Sequence, residues 1–268
     1  MILRAAVVQF KPALANVEEN ITRHRYFIRE ALEGGANLIV FPELSLTGYL
    51  LGWLVPQVSL KLEDGVWEDL TEGLGDRVLI VGAVIEERDM FYNAMVVLSG
   101  EGILGVHRKV YLPTYGMFDE GRYFTAGPGF EKIKTPLGDV AVMICEDAWH
   151  MDAYLSRADA DFFVLSANNP LRVVQGGTAV EVWHRIASLP SLYFGAPTLY
   201  ANRVGVEDGI VFFGGSRIYQ GNGVLSAEAP LFEETVIFGD IDTDLRRAAR
   251  YNSATLREHL NHALRKGA

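Results

Sequence analysis

Short apolar runs of strand length, each closed by a proline, glycine or polar residue, recur along the whole chain and limit its fold more than any other feature. The first is Leu3 to Phe10 (LRAAVVQF). After Pro12 comes helix-start chemistry, with Asn16 and Glu19 spaced as in a capping box, which predicts a helix over Val17 to Glu33. Ile21, Ile28 and Leu32 fall near one face of it, and Gly34-Gly35 supplies the stop. A buried strand, Leu38 to Phe41, then ends at Pro42. A helix near Val66 to Leu74 precedes strands at Val78 to Ile85, Tyr92 to Leu98 and Ile103 to Val106. Asp139 to Ile144 (DVAVMI) runs straight into Cys145, and a short helical segment leads to the strand Phe162 to Ser166. A helix near Ala179 to Ser191, strands at Thr198 to Ala201, Ile210 to Phe213 and Thr235 to Ile241, and a helix from about Ala254 complete the reading. Strands outnumber helices, which favours two sheets covered on their outer faces over one doubly wound sheet, with the strand order left open. No repeat, low-complexity tract or linker divides the chain, so one α/β domain over residues 1–268 is expected.

Apolar residues make up 49% and charged residues 22% of the sequence, enough non-polar surface for a large core. The net charge of −10 opposes binding to nucleic acid or to an anionic membrane surface. No stretch reaches the run of roughly 20 apolar residues that a membrane helix needs, and Met1 leads directly into the first apolar run without a leader pattern. A single cysteine, Cys145, excludes an internal disulfide and fits a reducing, cytoplasmic compartment. The chain lacks material for a thiolate zinc site, and its six histidines form no recognisable ligand pair, so neither metal nor cofactor is expected.

Taken singly, Cys145 reads as a buried thiol, Lys109 as a surface charge and Glu43 as a helix cap. Together they mean more, because each lies just beyond an apolar run: LIVF-Pro42-Glu43, GILGVHR-Lys109 and VAVMI-Cys145. Strand ends in layered α/β proteins converge where ligands and catalytic groups collect. A carboxylate, an ammonium and a thiol at one such place supply a base, an oxyanion stabiliser and a nucleophile. A thiol attacks only once deprotonated, which a nearby cation favours and a carboxylate can accomplish. Lys109 and the backbone N–H of Glu146 would steady the oxyanion, and Glu43 would return the proton to the leaving amine.

On these residues the chain resembles the nitrilase superfamily, the carbon–nitrogen hydrolases. The resemblance runs from AAVVQF through FPELSLTGY around Glu43, HRKVYLPTYGMFDEGRYFTAG around Lys109 and MICEDAW around Cys145 to YANRVGVED near Ala201. It implies a four-layer αββα sandwich, paired with a second subunit across one helical layer as a homodimer or higher homo-oligomer. It also marks Glu120 as a second glutamate beside the lysine, where the alternative is a loop carboxylate paired with Arg122.

The Lys109 and Cys145 segments look most like the glutamine-hydrolysing portion of glutamine-dependent NAD synthetases, in which Tyr115 would contact substrate. Those enzymes carry Ser-Pro after the strand equivalent to Phe162 to Ser166; here the pair is Asn169-Pro170, followed by Gln175. Pro190 to Phe194 (PSLYF) also departs from an amidase pattern, a change expected in the pocket wall. Tyr115, Phe118 and Trp149 would line the pocket with Glu146 and Asn169, and Arg172 either meets a substrate carboxylate or lies on the surface. The expected activity is hydrolysis of a small linear amide or N-carbamoyl amine through a Cys145 thioester. The alternatives are a glutamine-hydrolysing subunit supplying ammonia to a synthetase partner, since no ATP-pyrophosphatase signature follows, and a non-catalytic binding subunit.

Overall fold

The computed structural model describes residues 2–252 together with residues 254, 257, 258, 261 and 262. In chain order its strands are β1 (Ile2–Gln9), β2 (Leu38–Val40), β3 (Val78–Glu87), β4 (Met90–Ser99), β5 (Gly102–Arg108), β6 (Lys132–Thr135), β7 (Gly138–Ile144), β8 (Phe162–Ala167), β9 (Val173–Val174), β10 (Gly177–Thr178), β11 (Thr198–Asn202), β12 (Val204–Glu207), β13 (Ile210–Phe213), β14 (Arg217–Tyr219), β15 (Leu225–Glu228) and β16 (Thr235–Asp242). The α-helices are α1 (Val17–Glu33), α2 (Val55–Val58), α3 (Val66–Thr71), α4 (Glu120–Tyr123), α5 (Met151–Leu155), α6 (Ala179–Phe194) and α7 (Thr243–Asn252).

Two six-stranded sheets hold most of these strands, in the orders β16-β1-β2-β3-β4-β5 and β15-β14-β11-β8-β7-β6. Each has a parallel centre, β1-β2-β3 in one and β7-β8-β11 in the other, with antiparallel strands outside it. The first strand explains why its run reads as continuously apolar: Ala5 and Val7 enter the core between the sheets, while Ala6 and Val8 enter the core beneath α1 and α3. Both faces are buried, so alternation is lost. On the far side, Trp183, Ile186 and Ala187 of α6 join the inter-sheet core through the second sheet. The result is the αββα order of layers, in one domain. No helix among the described residues is long and apolar enough to cross a membrane.

Local chemistry sets the helix ends. The Asn16 side chain accepts from the Glu19 N–H as predicted, but Glu19 returns its carboxylate to the Asn16 side-chain amide rather than to its backbone. The reciprocal capping box is instead at α6, between Thr178 and Glu181, and α6 ends at Gly195 with φ +60°. That helix continues past Ser191 to Phe194, so the PSLYF segment is its last turn, with Leu192 and Tyr193 exposed; the expected change in a pocket wall is a change on an outer helix. The helix expected from about Ala254 falls largely outside the described residues, and the described C-terminal helix already begins at Thr243.

Beneath the turn after β2, Gly82 of β3 comes so close that a Cβ there would lie 2.3 Å from the Leu44 nitrogen and 2.6 Å from the Pro42 oxygen. Only glycine allows this packing, which fixes the height at which Glu43 leaves the sheet.

Candidate active site

The carboxyl ends of β2, β5 and β7 deliver Glu43, Lys109 and Cys145 to one end of the sandwich, and Glu120 arrives as the first residue of α4. Lys109 Nζ donates to Glu43 Oε1 and to Glu120 Oε1, both at 2.7 Å. All three groups are buried, and such charges persist in an interior only when paired and hydrogen-bonded. Glu43 is further held by Asn93 Nδ2 at 2.7 Å on Oε1 and by the Asn168 N–H at 2.8 Å on Oε2, while its own carbonyl accepts from Asn168 Nδ2. Glu120 Oε1 also accepts from the Tyr49 hydroxyl at 2.7 Å. Arg122 pairs with Asp119, so the loop-pair alternative for Glu120 does not hold.

Cys145 opens a 3₁₀ turn (Cys145–Trp149) directly off β7, with φ +44°. A non-glycine residue in that region is strained, and the strain lifts the thiol off the strand axis. The same turn leaves the N–H of Glu146 without an intrahelical acceptor, the type of donor an oxyanion needs. The thiol donates to Asn169 Oδ1 at 3.4 Å, and Asn169 is itself fixed by the Tyr200 hydroxyl and by Asn202 Oδ1.

Electrostatics divide the roles. Burial and then the Glu43 carboxylate push the Cys145 thiol well above its usual value, with Lys109 opposing them, so the resting group is a thiol. Burial would lower Lys109, but Glu120 and Glu43 outweigh it and hold the ammonium charged. Burial lifts Glu120 to about 7, with Glu43 adding to the shift and Lys109 opposing it. The second oxygen of Glu120, Oε2, has no hydrogen-bond partner in the structure.

Around the thiol, the Tyr115 hydroxyl donates to Glu146 Oε2 at 2.8 Å, and the Tyr115 ring meets Phe118 edge-on. The Arg172 guanidinium lies 4.8 Å over the Phe118 ring, which places it with this cluster. Tyr115, Phe118, Glu146 and Arg172 are therefore joined in one cluster, while Asn169 meets the thiol separately. Trp149 stands further out, 41% exposed and edge-on to Trp183, whose ring stacks on Tyr200. It backs the residues that hold Asn169. Among the described residues, no group of three or more His, Cys, Asp or Glu side chains is arranged to hold a metal ion.

The sequence motifs contain Asp147 and Tyr49, yet nothing in their spacing reveals what they do. Asp147 is fully buried: Oδ1 accepts the N–H groups of Val110 and Tyr111, each at 3.0 Å, and Oδ2 accepts the N–H of Ile144 and meets His107 Nε2 at 3.0 Å. One carboxylate thus ties the residues after Lys109 to the residue before Cys145. Burial would raise Asp147, but His107 and the backbone donors hold it below its usual value. A lowered value means stability that is present above the unfolded pKa and lost as pH falls through the folded one. Asp147→Asn is therefore expected to lower the melting temperature at neutral pH, by about 1–3 kcal/mol of stability, and to remove part of the unfolding that sets in below pH ~4. Thermal melts of both proteins across that range check this.

Three comparisons place the chain among known proteins. The carbon–nitrogen hydrolase family profile matches residues 4–251. A glutamine-dependent NAD(+) synthetase of Thermotoga maritima is 35% identical over 249 residues, covering 90% of this chain and 42% of that protein. A probable nitrilase of Schizosaccharomyces pombe is 28% identical over 267 residues, 94% of this chain and 93% of that one. The crystal structure of a carbon–nitrogen hydrolase from Helicobacter pylori G27 superposes with a TM-score of 0.82 at 25% identity, covering 96% of this chain and 95% of that chain. The chain spans less than half the length of the synthetase relative it matches.

Proposed function

Because the chain belongs to the carbon–nitrogen hydrolase family, and so to hydrolases acting on C–N bonds, we propose that it cleaves a small linear amide or N-carbamoyl amine through a thioester on Cys145. The observation that carries this reading is the buried contact of one ammonium, Lys109 Nζ, with both Glu43 and Glu120 at the strand ends where Cys145 emerges.

Glu43 takes the proton from Cys145 Sγ, and the thiolate attacks the substrate carbonyl carbon. The carbonyl oxygen becomes an oxyanion, met by Lys109 and the Glu146 N–H. Collapse of the tetrahedral intermediate breaks the C–N bond as Glu43 hands its proton to the departing nitrogen, leaving ammonia or an amine and a thioester. Water, losing a proton to Glu43, attacks the thioester; the acid departs and the proton returns to Cys145. Lys109 stays protonated throughout, consistent with two carboxylates against it.

Glutamine is the first amide to test. The Thermotoga maritima relative is a glutamine-dependent NAD(+) synthetase, and the cluster around Cys145 combines a carboxylate, Glu146, with a guanidinium, Arg172, groups suited to an ammonium and a carboxylate on the acyl part. In that case a synthetase partner would take the ammonia. Release of ammonia from glutamine, other ω-amides, N-carbamoyl amines, aliphatic amides and nitriles decides among these substrates. A panel silent throughout, with Cys145 unreactive to iodoacetamide, favours a binding subunit instead.

A further inference from the structure

A second buried ion pair stands behind Glu120. Arg203, completely buried, donates from Nη1 to Glu207 Oε2 at 2.8 Å. The other oxygen of Glu207 accepts the N–H of Tyr49 at 3.2 Å and of Leu50 at 2.7 Å. The Arg203 guanidinium covers the Phe212 ring at 4.3 Å, and that ring meets the Tyr49 ring edge-on. Tyr49 is thus held by its backbone on one side and by its ring on the other, and its hydroxyl reaches the same Glu120 oxygen that accepts Lys109.

We propose that Tyr49, anchored by the Arg203–Glu207 pair, is a positioning residue that fixes the orientation of Glu120 against Lys109. Both hydrogen bonds to Glu120 fall on Oε1, while Oε2 has no partner. A buried carboxylate free to turn about its own axis would share donors between its oxygens; two donors on one oxygen hold the plane and leave the other to carry a proton. The groups facing Glu120 are Lys109 from the end of β5, Glu43 from the end of β2, Tyr49 from the turn that follows it and, electrostatically, Cys145 from the end of β7. Burying an Arg–Glu pair is expensive, and such pairs are rarely kept for stability alone. Here the free oxygen of Glu207 accepts the backbone N–H groups of Leu50 and of Tyr49, the residue whose hydroxyl touches Glu120. The inference rests on the reading that Lys109 and Glu120 serve Cys145.

The test follows the rate of Cys145 alkylation by iodoacetamide across pH, which requires no knowledge of the substrate. It compares the unmodified protein with Tyr49→Phe, Glu120→Gln, the double variant and Glu207→Gln. The inflection contributed by Glu120 near pH 7 should move up by about one unit in Tyr49→Phe, because a donor that favours the ionised carboxyl is gone. The same substitution should change the rate less than about twofold in the Glu120→Gln background, since residues acting as a unit are not additive. Glu207→Gln, which keeps the hydroxyl but disturbs its anchor, should shift the inflection in the same direction. An unmoved inflection in Tyr49→Phe, or equal effects in both backgrounds, overturns the proposal; an unmoved inflection in Glu207→Gln overturns the anchoring part. A reactive thiol with no hydrolysis of any amide would instead count against the hydrolytic reading, while the alkylation cycle still decides the role of Tyr49.

Discussion

Cys145→Ala is expected to reduce hydrolysis of whichever amide the protein accepts by a factor on the order of 10⁴ or more, with little change in melting temperature. The loss is large because, in the proposed mechanism, Sγ forms the bond that replaces C–N, and no second thiol exists in the chain to substitute for it. Stability should be nearly unaffected, because the thiol makes one long hydrogen bond, to Asn169 at 3.4 Å. Cys145→Ser should be almost as inactive, since a hydroxyl holds its proton more tightly than a thiol in a site where burial and Glu43 already oppose ionisation. Steady-state rates beside thermal melts separate the two effects.

Lys109→Met should show the opposite balance: a large loss of activity together with a large loss of stability. Removing the ammonium leaves Glu43 and Glu120, both buried, without the cation that joins them. Breaking one partner of a buried ion pair costs about 3–5 kcal/mol, and removing the oxyanion donor of the proposed mechanism costs a further factor of roughly 10²–10³ in rate. The stability deficit should depend on pH with a definite sign. Glu120 in the folded protein is raised from 4.5 to about 7, so it favours the fold at low pH and that contribution disappears as pH rises through the folded value. Without Lys109 the folded value rises further, so the variant should recover part of its melting temperature as pH falls from 8 toward ~6, where Glu120 holds a proton. A deficit constant over that range would mean that the two carboxylates do not repel across the vacated space.

Much of this site is legible in the sequence because strands buried on both faces write themselves as unbroken apolar runs. The runs before Glu43 and Cys145 became the buried strands β2 and β7, the run before Lys109 became the mostly half-buried β5, and chemistry placed just past a strand end converges whatever the strand order. Where burial fades, legibility fades. β15 (LSAE) is largely exposed and β14 has only three residues, so neither carries a hydrophobic signature. The described helix α7 (TDLRRAARYN) is rich in charge, and its apolar face, Leu245 with Ala248 and Ala249, is too short and small to mark its start at Thr243. The supports of the candidate catalytic groups are the least readable of all. Glu207 meets the backbone of residues 157 and 158 positions away, and Asp147 closes contacts 36 and 37 positions away, pairings that no local pattern encodes. Nor does any local pattern reveal that Trp149, expected at the pocket, meets Trp183 edge-on, or that the Trp183 ring stacks on Tyr200.

The most direct test of the central claim is intact-mass and peptide-map analysis of the protein mixed rapidly with amides from the panel and quenched in acid. An added mass equal to the acyl group, located on the Cys145 peptide and absent from Cys145→Ala, is the predicted result. Turnover of the same amide with no acyl mass on Cys145 at any quench time, or turnover that survives in Cys145→Ala, would contradict the thioester mechanism.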